Sequence, residues 1–416
     1  MGEPGIQQHK PFSEREKKGG EISSESLLFC REICPLGEYH SIDFQQEGRH
    51  VKNIYFFTGF PGFIASSLIR RMAQLDYPAG HIYLLVLPAM RQKAEAEIRE
   101  ICKEAENISE EQFTVIEGDI TKGGLSIENG MRFKLAEEVT HVFHLAAIYD
   151  LAVKRDIAWR VNVTGTENVN QWVKTLKALK RYVYFSTAYV SGKREGRIYE
   201  HELDMGQTFK NHYEESKFEA EKRVRDIMGE VPVTVIRPGI VKGHSKTGET
   251  IKFDGIYFLL NTLTKFKIFP VIPYFGEGTA EGNFVPVDYI FDATLYLAHA
   301  HAETGKTYHL TDPHSYRMRE LYKMVMEAYL GRKPHGTIPL SVMEWLFSIK
   351  AFRKWLNAER EALEYFTCKA EYDCSTAQKD LEGSGISCPD FKETLPAMVR
   401  FYEAHKDDRD KQLKIV

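Results

Sequence analysis

Tyr213 and Lys217 stand one helical turn apart in the run Asn211-His212-Tyr213-Glu214-Glu215-Ser216-Lys217. At i and i+4 they share a helix face. A phenol with its free pKa of about 10 exchanges protons poorly at neutral pH. A neighbouring ammonium stabilises the phenolate and lowers that pKa. The pair is therefore read as an acid–base unit. Tyr213 would give a proton to an oxygen that becomes an alkoxide after hydride attack, and Lys217 would also reach a nicotinamide ribose. Thr187 closes the run Phe185-Ser186-Thr187, and its hydroxyl would orient the same oxygen. Asn162, in Val161-Asn162-Val163-Thr164-Gly165-Thr166, would hold a water or backbone link behind Lys217. A lone Tyr-x-x-x-Lys arises readily as an exposed helix pair. The weight comes from its order after Asn162, Thr187 and a glycine turn.

That turn is Thr58-Gly59-Phe60-Pro61-Gly62-Phe63-Ile64-Ala65. Gly59 permits a tight bend after a strand, Gly62 lets backbone amides approach a pyrophosphate, and Ala65 lets a helix pack closely. Thr58, Phe60, Pro61, Phe63 and Ile64 complete the expected contact. The second strand runs into Leu85-Val86-Leu87-Pro88-Ala89-Met90-Arg91-Gln92-Lys93, without the acidic residue that usually binds a ribose 2′-hydroxyl. Arg91 and Lys93 suit a 2′-phosphate instead, which favours NADPH and leaves NADH possible. Asp119, followed by Ile120, is placed to accept from an adenine amine. Leu145, Ala146 and Ala147 are placed to let ribose and nicotinamide lie along the backbone. The plainer readings are a structural turn, a solvated helix start and an ordinary turn aspartate.

Positioning these residues requires alternating strands and helices. The apolar runs predict strands at 53–58, 82–87, 113–117, 141–145, 182–186 and 233–237, with a late one at 308–311. Helices are predicted at 62–74, 89–105, 156–179 and 210–228, then at 319–330, 340–356 and 396–405. Continuous apolar strands between helices indicate a parallel sheet covered on both faces, hence an α/β doubly wound Rossmann arrangement. The domains expected are an N-terminal extension at 1–50, an NAD(P)-binding domain at 51–250, and a smaller, mostly helical substrate region at 251–416 whose late strands return to the sheet. Residues 1–50 are polar and without period, and read as disordered. The functional chain is expected to begin near Val51. Intact mass from the native host tests this, and a native start at Met1 would refute it.

Together these residues resemble the extended short-chain dehydrogenase/reductase family, and within it the branch of thioester reductase domains, fatty acyl-CoA reductases and male-sterility proteins. The resemblance covers about residues 53–310. It rests on the glycine turn, His144-Leu145-Ala146-Ala147, Asn162-Val163-Thr164-Gly165-Thr166, Ser186-Thr187-Ala188-Tyr189-Val190-Ser191-Gly192, the run from Tyr213 to Glu221, Arg237-Pro238-Gly239-Ile240-Val241 and Asn283-Phe284-Val285-Pro286-Val287-Asp288. It implies that Pro238, Gly239 and Val241 also touch the cofactor. Where acyl-CoA reductases often carry an arginine after the second strand, this chain has Leu87.

The segment from Tyr257 through Phe266, Ile268, Phe269 and Ile272 to Phe275 is read as an apolar wall of the substrate cleft. That wall suits an acyl chain better than a nucleotide sugar; simple core packing is the alternative. The reading is reduction of a fatty acyl or other thioester, on coenzyme A or a carrier protein, to aldehyde or alcohol. A secondary-alcohol dehydrogenase of hydroxysteroid type, a sugar epimerase or dehydratase, and a non-catalytic NADP-binding redox sensor are the alternatives. The 416 residues are 43% hydrophobic with a net charge of −4, which suggests neither nucleic acid nor a basic tail. No apolar run is long enough to span a bilayer, no secretory pattern opens the chain, and Ile6 breaks the myristoylation pattern. A cytoplasmic location is expected. The six cysteines, including Cys30 and Cys34, read as free thiols, and no metal is expected. A homodimer could form by pairing the helices at 156–179 and 210–228 across a two-fold axis.

Overall fold

A computed structural model of the chain describes residues 53–75, 77, 79–300, 304–356 and 367–412. The expected extension, the start at Val51, Cys30 and Cys34 lie outside the described residues.

The central sheet has seven parallel strands: β1 (Asn53–Thr58), β2 (Ala79–Val86), β3 (Phe113–Glu117), β4 (His141–His144), β5 (Arg181–Phe185), β6 (Val233–Pro238) and β7 (Lys306–Leu310). Their spatial order is β7-β6-β5-β4-β1-β2-β3, with the reversal between β1 and β4 that marks a doubly wound fold. Strand alternation divides the core between the two faces. Tyr55, Phe57, Leu84, Val86, Val183 and Phe185 face one side. Phe56, Tyr83, Leu85, Tyr182 and Tyr184 face the other.

The first face is covered by α1 (Phe63–Gln74), α2 (Arg91–Glu104) and later α8 (Val287–His299); the second by α3 (Asn129–Glu138), α5 (Gly165–Val173) and α6 (His212–Arg225). The helix expected over 156–179 is broken. It comprises α4 (Arg155–Ala158), a π-helical turn at Trp159–Thr164, and α5 (Gly165–Val173). The wider turn brings Asn162 inward, where its side chain bonds both the amide and the carbonyl of Ile148. Helix α6 (His212–Arg225) starts at Asn211, whose Oδ1 accepts from the Glu214 amide at 2.9 Å.

A satellite core is built from α7 (Tyr257–Phe266), α9 (Met318–Leu330), α10 (Leu340–Ser348), α11 (Lys350–Leu356) and α13 (Phe391–His405). The single helix expected at 340–356 is therefore two. Helix α13 begins five residues before the expected Pro396, because the Asp390 carboxylate caps it through the Lys392 amide. Helices α3 and α8 (Val287–His299) were not expected. Helix α8 is buried on nearly every side, so it shows no amphipathic stripe.

The last segment closes over the sheet edge. Ala370–Tyr372 pairs in parallel with Gly196–Ile198. The helix α12 (Ser375–Leu381) receives the Glu200 carboxylate on the amides of Thr376 (2.6 Å) and Ala377 (3.1 Å). Tyr372 reaches the Ser191 hydroxyl at 2.9 Å and so pins the turn that follows Thr187.

Candidate active site

A parallel sheet brings all its strand C-termini to one edge, and the candidate residues follow those ends. Thr58 ends β1, Asp119 and Ile120 follow β3, Leu145–Ala147 follow β4, Thr187 follows β5, and Pro238 ends β6.

The glycine turn is tight for identifiable reasons. Gly59 has φ +87°, and a Cβ there would lie 2.8 Å from the Ala146 nitrogen. Any side chain would thus drive β1 and β4 apart. At Gly62 a Cβ would meet the Gly59 carbonyl oxygen at 2.5 Å. Gly62 precedes α1 without a side-chain cap, which leaves the first-turn amides to an anion. Pro61, Phe63 and Ile64 are partly exposed around this end, whereas the Phe60 ring is core. The Thr58 side chain is wholly buried. Its Oγ1 bonds His144 Nδ1 at 2.8 Å and accepts from the amides of Leu145 (3.2 Å) and Ala146 (3.1 Å). Its hydroxyl therefore ties the two strand ends together.

Arg91 and Lys93 are exposed at the start of α2. Arg91 is shared between Glu95 (2.9 Å) and Glu117 (3.1 Å). Glu117, at the end of β3, is an acid that inspection of the second strand alone did not reveal. Asp119 Oδ1 accepts from the Thr121 amide at 2.8 Å, and the buried Ile120 packs where Gly165 leaves space. Pro238 and Gly239 are buried; a Cβ on Gly239 would meet Asn283 Oδ1 at 2.6 Å. Val241 is half-buried beside the core.

The catalytic candidates come together with some changes of partner. Tyr213 is half-buried, packed edge-on against Tyr149 at 5.2 Å between ring centres. Burial pushes its phenol above the ordinary range, the Glu214 carboxylate adds to that, and a hydrogen bond with the Thr187 side chain opposes it. Lys217 does not provide the expected lowering. Its Nζ donates to the Phe185 carbonyl at 2.6 Å and to the Tyr184 hydroxyl at 3.0 Å. Burial brings Lys217 down to about 7, against the pull of Glu221. Asn162 bonds the residue just before Lys217. Its Nδ2 donates to the Ser216 hydroxyl at 2.9 Å, so it secures the adjacent residue of α6.

Beneath this group lies a buried ionic cluster. Glu221 accepts from Arg237 Nη2 (2.7 Å), Arg225 Nε (3.0 Å) and Ser186 Oγ (2.6 Å). Burial alone would raise the Glu221 carboxyl, but the two guanidinium groups and Ser186 hold it below the usual range. His144 joins Thr58 to Thr166, with Nε2 at 3.0 Å from Thr166 Oγ1. Burial and the nearby Lys217 lower it to about 3, so it is neutral. His144 opens the run His144-Leu145-Ala146-Ala147, yet only its two hydroxyl partners reveal what it does.

Phe258, Leu259 and Phe275 line a cavity of about 580 Å³ together with Tyr274, Tyr322 and Met343. The expected wall is otherwise divided. Leu260 and Ile272 are core, while Ile268 and Phe269 are exposed on the outside. Lys369 at the cavity's edge precedes Ala370, which packs with Ala188 and Tyr189 just after Thr187.

The family described as "Male sterility protein" matches residues 57–294, more than half of the chain. A nonribosomal peptide synthetase of Aspergillus campestris, cpsA, is 27% identical over 294 residues, covering 66% of this chain and 27% of the relative. Fatty acyl-CoA reductase wat of Drosophila melanogaster is 27% identical over 276 residues, covering 58% and 53% respectively. The chain thus spans between about a quarter and about half of these curated relatives. Among solved structures, the terminal R domain of the myxalamid PKS-NRPS pathway matches with TM-score 0.71 and 24% identity, covering 88% of this chain and 94% of that one.

Proposed function

This chain belongs to the male sterility protein family, within the extended short-chain dehydrogenase/reductases, and we propose that it reduces a fatty acyl or other thioester with NADPH. The observation that carries the reading is the meeting of Thr187 and Tyr213 at the C-terminal edge of a sheet whose glycine turn presents uncapped helix amides. That turn fits a dinucleotide pyrophosphate. When bound, the cofactor supplies the hydride.

The chain's own residues do the rest. Thr187 and Tyr213 together hold the substrate carbonyl oxygen. Burial keeps the Tyr213 phenol protonated, so it is ready to donate as negative charge develops on that oxygen. A thioester treated this way becomes a hemithioacetal, which collapses to an aldehyde and a free thiol; a second round would give the alcohol. Lys217 is the candidate to hold the nicotinamide ribose. Asn162, through Ser216, keeps that turn of α6 in place. The largely apolar cavity favours an acyl chain over a sugar. The thioester would arrive on coenzyme A or on a carrier protein. Exposed Arg91 and Lys93 favour NADPH, with Glu117 beside them as the observation that keeps NADH in view.

The test is oxidation of NADPH, then NADH, with a panel of acyl-CoA thioesters and the matching aldehydes, scoring released thiol. Thioester turnover with thiol release supports the proposal. Turnover of aldehydes or ketones alone would move the chain to carbonyl reduction.

A further inference from the structure

We infer that the face formed by residues 268–271, α10 and α11 docks on an anionic membrane surface. Thirteen large apolar side chains are exposed among the described residues, and seven of them fall within 268–271 and 342–355. Ile268 is 76% exposed and Trp345 63%. The tip Ile268-Phe269-Pro270-Val271 is a run of four exposed apolar residues, which a surface with no partner avoids.

Helix α10 explains why the face is apolar. Met343 and Phe347 are buried in the satellite core, while Val342, Trp345 and Ile349 recur on the outside. A helix apolar on both sides needs a partner on each. The tip and the helices form one surface: Phe266 packs on Phe269 (5.7 Å) and on Trp355 (5.6 Å). Arg332 fixes the tip by donating to the carbonyls of Lys267 (2.8 Å) and Phe269 (2.9 Å).

Charge selects the partner. The chain is acidic overall, yet residues 265–271 and 340–356 carry Lys265, Lys267, Lys350, Arg353 and Lys354 against Glu344 alone. Tryptophan and aliphatic side chains within a basic collar suit an anionic lipid interface, with the cations reaching headgroups and the apolar groups entering the acyl boundary. A protruding apolar tip suits such insertion, whereas protein hot spots usually seat in recesses. No helix among the described residues is long and apolar enough to cross a membrane, so the contact is peripheral. Leu340 and Met343 line the cavity from the inner side of α10, which places the cavity directly behind the docked face.

The experiment is sedimentation of the full chain with phosphatidylcholine vesicles, with and without phosphatidylserine, alongside light scattering of the protein alone. The chain is expected to pellet with the anionic vesicles, and high salt should release much of it. Ile268→Asp with Trp345→Asp should lower vesicle binding by about tenfold or more, with cofactor binding and Tm retained. Lys267→Glu with Lys350→Glu should remove the preference for phosphatidylserine. No pelleting with anionic vesicles overturns the inference. So does self-association, or capture of an acyl carrier protein, that the first pair of substitutions abolishes in the absence of vesicle binding.

Discussion

At Tyr213 the phenol keeps its proton because burial and Glu214 oppose phenolate, and the Thr187 hydroxyl is its immediate partner. Tyr213→Phe retains the ring and its contact with Tyr149 but loses the proton. Turnover should fall about a thousandfold with cofactor affinity nearly unchanged. Parallel assays of reduced-nicotinamide oxidation and cofactor binding check this; equal loss in both would make the residue structural. Lys217 is a second case. Its folded pKa of about 7 lies below the unbound 10.5, so the unfolded chain holds more protons between those values. The buried ammonium costs stability in full below about pH 7, and the cost fades as pH rises toward the unfolded value. Lys217→Met should lower kcat/KM while raising Tm more at pH 6 than at pH 10. Calorimetry at both pH values decides, and a larger gain at alkaline pH would refute the assignment.

At the level of elements, the site depends on how strand ends are joined. Thr58 and His144 tie β1 to β4, and the ionic cluster of Glu221, Arg237 and Arg225 ties α6 to β6. Glu221 is fully buried. Glu221→Ala would leave two guanidinium groups without their carboxylate in the interior. It should destabilise the fold by about 3–5 kcal/mol. Urea unfolding measures this, and a change below 1 kcal/mol would show that the cluster is not the clamp its distances suggest. Most strands of the Rossmann half were legible because short apolar runs between turn residues leave few alternatives. The π-helical turn at Asn162 was not, because it goes with a side-chain bond to Ile148 in a different loop.

For the whole molecule, three buried histidines and the half-buried His299 set the acid limit among the described residues. Burial lowers His141 to about 2, His144 and His309 to about 3, and His299 to about 4. Each folded pKa lies below the ordinary 6.5, so the unfolded chain takes up protons first as pH falls. Stability should therefore be lost from about pH 6.5 downward, each residue contributing at most about 2 kcal/mol by pH 5. Burial raises Glu200, Asp254 and Asp312, which acts in the opposite sense but nearer the carboxylate range. Thermal melts from pH 8 to pH 5 check the balance, and a Tm that holds or rises on acidification would refute it.

The order of residues alone was enough for the fold class, and it named the glycine turn and the candidates Asn162, Thr187, Tyr213 and Lys217 that the fold gathers at one sheet edge. These depend on local spacing: apolar period, turn chemistry and a helical repeat. Tertiary structure decided what each side chain does. Lys217 turned to Tyr184 and Phe185, Asn162 to Ser216, and Thr58 to His144, because buried donors and acceptors take whichever partners the packed fold brings within reach. It likewise separated the apolar stretch from Tyr257 to Phe275 into cavity lining, core and exposed tip. Hydrophobicity marks a residue for burial, but only packing against distant helices determines whether anything is there to bury it.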